Sequence, residues 1–346
     1  MKNRILFLPR NRHLWSYAKR AWFKGHRVRF EKVDLNDHWF MAYFDDKEKM
    51  DRVYWPMFGR YYCKWREYFQ RRRIDHVVVD RETNIEINAA VAAAQDFHIA
   101  TSYVMHGCDI FDVPDRWRLM RYDYLYAPNQ MTVDYMKSRF VTGRAEVLKF
   151  DRWASRPIPL PQIIDLKPRI LFVPMMVHQD EFVEKSGCLL TNLERHNYLI
   201  KFWYAFGRLG HKVLWCHNPA LDRVYNPMVR VLEENDEPFI KWVKKTPASY
   251  FGQVDLVITD VGSTLFFEAI WARKPIFCLY HEQSLSLKEG AKEMFNDSLK
   301  SFNDTTSIDT VLHNALSENL IQYLPVDFLL KEAGFPNAKL IWKEQY

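Results

Sequence analysis

Residues 255–279 read DLVITDVGSTLFFEAIWARKPIFCL, and the order of residue types in this stretch decides the fold. Asp255 to Thr259 is a short apolar run that predicts a buried strand ending at Asp260. The small residues Gly262, Ser263 and Thr264 turn the chain, and Thr264 to Arg273 has the pattern of a helix starting directly behind the turn. Pro275 to Leu279 is apolar again and predicts the next strand. Strand, tight turn, helix and strand make one unit of a parallel sheet.

The turn is also where chemistry could sit. Glycine lets a backbone approach a ligand closely, Ser263 and Thr264 add hydroxyl donors, and the first N–H groups of a helix attract phosphate oxygens. Glu268 lies one helical turn after Thr264 on the same face, where a carboxylate can accept bonds from ribose hydroxyls. A plain capped helix, with Ser263 or Thr264 as N-cap and Glu268 facing outward, would use the same residues. The turn is neither G-x-G-x-x-G nor a Walker loop, so neither dinucleotide nor ATP binding is indicated.

The same alternation extends outward in both directions. Upstream, Arg169-Ile-Leu-Phe-Val-Pro174 predicts a strand, His196 to Leu209 a helix stopped by Gly210, and Lys212 to Cys216 another strand. The opening Arg4-Ile-Leu-Phe-Leu-Pro9 repeats the first of these nearly letter for letter. After it come a helical stretch from His13 to Gly25 and an alternating strand from Arg27 to Val33. Residues 36–73 read as mostly helical. The strands His76–Asp80, Ala100–Met105 and Tyr122–Ala127 alternate with helices at Ile87–Phe97 and Met131–Phe140. Four prolines in 154–168 (Pro157, Pro159, Pro161, Pro168) exclude a helix or central strand there. The expected organisation is therefore a parallel-sheet domain over 1–153, a linker over 154–168 and a second such domain over 169–346.

Composition narrows the class. A chain of 346 residues, 48% hydrophobic and 27% charged, has material for about two globular cores. The five cysteines have no paired spacing, which argues against a zinc site or disulfide framework and for a reducing compartment. No run approaches the ~20 apolar residues of a membrane span, and the N-terminus reads as a strand, not a signal peptide. A soluble, cytoplasmic protein is expected. Residues 1–150 carry 27 Lys and Arg against 19 Asp and Glu, whereas 151–346 carry 22 against 24. The clusters Arg10 to Arg29 and Arg60 to Arg73 hold much of this excess, which suits an anionic partner for the first domain as well as a solvated helix face.

Several short motifs, taken together and in order, resemble GT-B fold glycosyltransferases, most of all the CDP-glycerol glycerophosphotransferases and related bacterial surface-polysaccharide transferases. The 255–279 segment resembles their donor-binding segment. Met105-His106-Gly107 resembles their His-Gly motif, Trp215-Cys-His217-Asn-Pro219 their strand ending in His-Pro, and Asp151 their interdomain crossing. The turn here is Asp-Val-Gly-Ser-Thr where that group has Asp-Tyr-Ser-Ser, and Asn218 separates His217 from Pro219, so a sugar nucleotide is as suitable a donor as a glycerol one. The resemblance implies two Rossmann-like parallel-sheet domains facing a central cleft, the first for the acceptor and the second for a nucleotide-activated donor.

Within that frame His106 is the candidate base, at a strand's carboxyl edge, with Asp109 and Asp112 as alternatives. Each could instead only satisfy its loop. Asp112, Arg10 and Arg12 are candidate acceptor contacts. His217 is the candidate phosphate contact, with Gly262, Ser263, Thr264 and Glu268 completing the donor site. Asp260 could hold the turn shut. Helix N-termini and fixed donors can stabilise a leaving diphosphate, so no metal and no cofactor beyond the donor is expected; His178, Asp180 and Glu181 lack a spaced partner motif.

The leading expectation is a glycosyltransferase whose acceptor is an anionic surface glycan or lipid-linked intermediate. A DNA glycosyltransferase of the phage type, acting on hydroxymethylated bases, would also use a basic, aromatic first domain. A non-catalytic nucleotide-sugar-binding protein would keep the 260–268 segment without turnover. An unrelated two-domain enzyme such as an epimerase would need no acceptor.

Overall fold

The computed structural model describes residues 4–8, 27–31, 48, 50–80, 84–105, 110, 122–127, 129–139, 146–149, 168–174, 192–216, 227–235, 238–283, 287–288, 290–295, 298–304 and 307–317. The chain divides into two compact units. Unit 1 is Met1–Cys108 with Pro114–Ser155 and Gly334–Tyr346, and unit 2 is Asp109–Val113 with Arg156–Ala333.

Unit 1 contains a parallel sheet of β1 (Arg4–Leu8), β2 (Arg27–Phe30), β3 (His76–Val79), β4 (Ala100–Val104), β5 (Tyr124–Ala127) and β6 (Glu146–Lys149), in the order β2-β1-β3-β4-β5-β6. β1 and β3 are buried along nearly their whole length, because a central parallel strand is covered on both faces and therefore reads as a continuous apolar run. β2 lies at the edge, and its Arg-Val-Arg-Phe alternation is what an edge position asks for. A π-helical turn, Met50–Tyr54, leads into α1 (Trp55–Arg71), which packs on α2 (Ile85–Asp96). The Asn84 side chain caps α2 by accepting from the Ile87 N–H at 3.0 Å. Glu86 is fully buried and accepts from Lys64 Nζ at 2.5 Å and Trp65 Nε1 at 3.2 Å, which compensates the cost of burying its charge. The helix α3 (Gln130–Arg139) follows β5.

Unit 2 repeats the plan with β7 (Ile170–Val173), β8 (Val213–Cys216), β9 (Ile240–Val243), β10 (Leu256–Thr259), β11 (Ile276–His281) and β12 (Leu299–Phe302), ordered β12-β11-β10-β7-β8-β9. The helices are α4 (Asn192–Leu209), α5 (Pro227–Glu234), α6 (Thr264–Trp271), α7 (Ala291–Phe295) and α8 (Ile308–Ser317). Phe172, Phe202, Phe206 and Trp215 form an aromatic cluster between β7, β8 and α4. Among the described residues no helix is long and apolar enough to cross a membrane.

The near-identical openings of the two sheets have a structural counterpart. Asp75 accepts from the Arg4 N–H at 2.7 Å, and Asp255 accepts from the Arg169 N–H at 2.9 Å. In each unit the acid stands just before the strand that pairs with the opening one, and its own N–H returns a bond to that arginine's carbonyl. The strand starts are thereby locked in register. Asp255 also takes the Arg169 guanidinium at 3.2 Å. Burial would raise this carboxyl, but the bonds from Arg169 outweigh it and hold it below its usual range.

Several expected boundaries move. The alternating strand ends at Phe30 and not at Val33, α4 begins at Asn192 and not at His196, and α6 stops at Trp271, two residues before Arg273. Arg273 adopts a left-handed φ of 54°, which closes the helix end as Lys274 N–H donates back to the Ala269 carbonyl. The predicted helix at 13–25 and most of the 154–168 linker lie outside the described residues.

Candidate functional site

In unit 2 the sheet starts at its centre. β7 opens it, the chain moves outward through β8 and β9, then returns to β10 on β7's other side and moves outward through β11 and β12. Adjacent crossovers therefore leave in opposite directions between β7 and β10, and such a switch point opens a crevice at the carboxyl ends of the strands. The turn Asp260–Ser263 stands at that point.

The turn is held from several sides. Thr259 Oγ1 lies 3.0 Å from the carbonyls of both Val173 and Val261, between which its single hydroxyl proton is shared. Asp260 is buried and accepts from Arg195 Nη2 at 2.9 Å and Tyr198 Oη at 3.2 Å, both from α4. The Arg195 guanidinium in turn stands 5.5 Å from the Tyr198 ring centroid. Asp260 thus anchors the turn, which is the role expected of it from the sequence. Behind it the Cys278 thiol is pushed well up, by burial first and by the negative Asp260 second.

Gly262 meets a packing requirement that its sequence does not show. A Cβ placed there would lie 2.2 Å from Ile110 Cγ1 and 2.3 Å from Cδ1. Ile110 belongs to the short Asp109–Val113 segment of unit 2 and is fully buried. Its N–H donates to the Gly262 carbonyl at 2.8 Å, and its carbonyl accepts from the Lys288 N–H at 2.9 Å. Among the described residues, the space left by the missing side chain is taken by this isoleucine. Gly262 is therefore a packing residue of the turn.

Ser263 occupies the N-cap position of α6 with extended backbone, but its side chain makes no capping bond. The capped-helix reading supposed that such a bond would use the hydroxyl. Ser263, Thr264 and Glu268 are all half-buried, while Phe266, Phe267, Ala269 and Ile270 are buried, two of them edge-on to Phe295 of α7. The helix thus commits one face to the core, and Thr264 and Glu268 share the other. A half-buried helix N-terminus with two hydroxyls, followed one turn later by a carboxylate, can take a phosphate and a vicinal diol.

The other predicted site residues, His106, Asp109, Asp112, His217, Arg10 and Arg12, lie outside the described residues, as do His178, Asp180 and Glu181. Among the described residues no three His, Cys, Asp or Glu groups gather as a metal site. Three residues of the site were missed in the sequence. Arg195 and Tyr198 carry a readable signal, since 195, 198, 199 and 202 have the spacing of one helix face, and an arginine on an otherwise apolar face needs an acid. Ile110 carries none, being one apolar residue 152 positions from its glycine.

No family profile matches the sequence, and no curated protein matches it by sequence. Solved structures do match in fold. A UDP-GlcNAc 2-epimerase of Methanocaldococcus jannaschii, solved with UDP-GlcNAc and UDP, aligns with a TM-score of 0.58 at 13% identity, over 92% of this chain and 94% of its own. The glycosyltransferase of kitacinnamycin gives 0.60 at 11% identity, over 97% and 95%. The glycosyltransferase SnogD of Streptomyces nogalater gives 0.53 at 11% identity, over 97% and 94%. At such identities the likeness shows the fold, two parallel-sheet α/β domains of the GT-B type. These neighbours do not include the CDP-glycerol group that the motifs resemble.

Proposed function

We propose that the chain is a glycosyltransferase that uses a nucleotide-activated sugar and needs no metal, with an anionic surface glycan or lipid-linked intermediate as acceptor. One observation supports it above the others. The turn at the switch point of unit 2 is bonded backbone to backbone to Ile110, one of the two residues that lie in sequence between the candidate bases Asp109 and Asp112. In this reading the donor diphosphate rests on Ser263, Thr264 and the start of α6, with His217 as a further phosphate contact. Glu268 accepts from the ribose hydroxyls. His106, or Asp109 in its place, takes the acceptor hydroxyl's proton, while Arg10, Arg12 and Asp112 contact the acceptor. The helix N-terminus and fixed donors neutralise the leaving diphosphate, the work a metal would otherwise do.

A second reading is favoured by the epimerase among the structural neighbours: the same donor site could serve a sugar-nucleotide 2-epimerase, which uses no acceptor. One experiment separates the readings. A thermal-shift panel of UDP-, CDP-, GDP- and dTDP-sugars identifies the donor, because a ligand of the folded state raises its melting temperature. Incubation with that donor alone is then followed by NMR. An altered sugar configuration without acceptor overturns the transferase reading, and a donor that is stable until a glycan acceptor is added supports it. Binding of no nucleotide sugar overturns both.

A further inference from the structure

Unit 1 carries a groove of about 800 Å³ along the outer face of α1, bounded at one end by Glu31 behind β2. Its charged walls are Arg60, Lys64, Arg71 and Arg72 against Glu31 and Glu67, an excess of cations. Arg60, Lys64 and Arg71 fall on one stripe of the helix, which at ~1.5 Å per residue runs about 16 Å. Lys64 is held by the buried Glu86 and Arg71 meets Glu67 at 3.4 Å, while Lys64 and Arg71 keep 56% and 78% of their side-chain surface open. Among the described residues no carboxylate lies within ion-pair distance of Arg60 or Arg72.

Four aromatic rings in and beside the groove discriminate between classes of polyanion. Tyr61 and Trp65 have Lys64 over them at 5.8 and 5.5 Å, Tyr62 has Arg66 at 5.7 Å, and Tyr68 has Arg29 at 5.8 Å. Their faces are engaged by the protein's own cations, whereas a nucleic-acid strand binds by stacking its bases on open rings. Glu31 and Glu67, set among the cations, would repel a plain polyphosphate but accept bonds from hydroxyls.

A ligand offering both anionic groups and hydroxyls along its length meets both sets of groups. We propose that this groove binds a segment of an anionic glycan, sugar units carrying carboxylate or phosphate, a few units long. That the segment is part of the transfer acceptor rests on the transferase reading; the binding itself does not.

The test uses the full chain and Cys63, an exposed thiol on the groove wall. The probe is a galacturonate hexasaccharide, with the uncharged maltohexaose and the oligonucleotide dT12 as comparisons. Maleimide labelling at Cys63 is read against a Cys63→Ser control. The hexasaccharide should slow labelling at least tenfold at saturation, maltohexaose should not, and Arg60→Ala with Arg72→Ala should weaken the protection about tenfold or more. Both arginines are exposed, so an unchanged melting temperature is expected and is measured on the same preparation. No protection by the hexasaccharide, equal protection by maltohexaose, or tighter binding of dT12 each overturns the proposal. The nucleotide-sugar thermal shift, measured separately, reports on the transferase reading alone, so either idea can fail without the other.

Discussion

Replacing Gly262 by Ala tests the geometry of the donor turn most directly. The new Cβ would sit 2.2 Å from Ile110 Cγ1, about 1.3 Å inside the ~3.5 Å at which carbon atoms touch. Ile110 cannot simply step aside, since it is fully buried and bonded through both its N–H and its carbonyl. Overpacking of this kind costs about 1–3 kcal/mol, and a unit of this size loses roughly 2–4 °C in melting temperature per kcal/mol. Ile110→Ala alone should cost about 2–5 kcal/mol through the cavity it leaves. In the double variant the two Cβ atoms would lie 3.5 Å apart, an ordinary contact. Its loss should therefore be smaller than the sum of the single losses by about 0.5–3 kcal/mol. Chemical denaturation of the four proteins measures this. Additivity within ~0.5 kcal/mol, or an undisturbed Gly262→Ala protein, would refute the claim that the glycine exists to admit Ile110.

Glu268→Ala should leave folding intact and weaken nucleotide-sugar binding roughly ten- to a hundredfold by titration calorimetry, the loss of a ~1.5–3 kcal/mol bond to a charged group; unchanged affinity returns the residue to an ordinary helix surface. His106→Ala should lower turnover by about 10²–10⁴ while sparing donor affinity, and the pH profile should lose its acidic limb because a histidine base works only when neutral. If that variant stays active and Asp109→Asn is dead, the base lies three residues further on. Asp255 has a folded pKa below its unfolded value of ~3.9, so its contribution to stability is complete above that value and is lost as pH falls through the folded one. Asp255→Asn should accordingly melt lower than the wild type at pH 7, by about 1.5–3 kcal/mol of stability. The gap should narrow on acidification toward pH 3, and a gap that widens would contradict the Arg169 pairing.

Much of this protein was already determined along the chain. Continuous apolar runs announced the buried central strands β1, β3, β7, β10 and β11, because a strand covered on both faces needs no polar residue for several positions. The order strand, small residues, helix announced the turn after β10, since local backbone preference and capping act over a few residues. The strands β6, β9 and β12 were not read, and the order of strands decides why. β6 and β9 close one edge of their sheets and β12 another, so short runs such as Ile240-Lys-Trp-Val243 need only one apolar side.

Tertiary structure alone supplied the partners that hold Asp260 and Gly262 in the turn. Asp260 has its charge partner 65 residues earlier in Arg195, and the space beside Gly262 is filled from 152 positions away by Ile110. A glycine that admits a ligand and one that admits a buried isoleucine look identical in sequence, because the difference is a distance of a few ångströms between segments that the chain itself never places side by side.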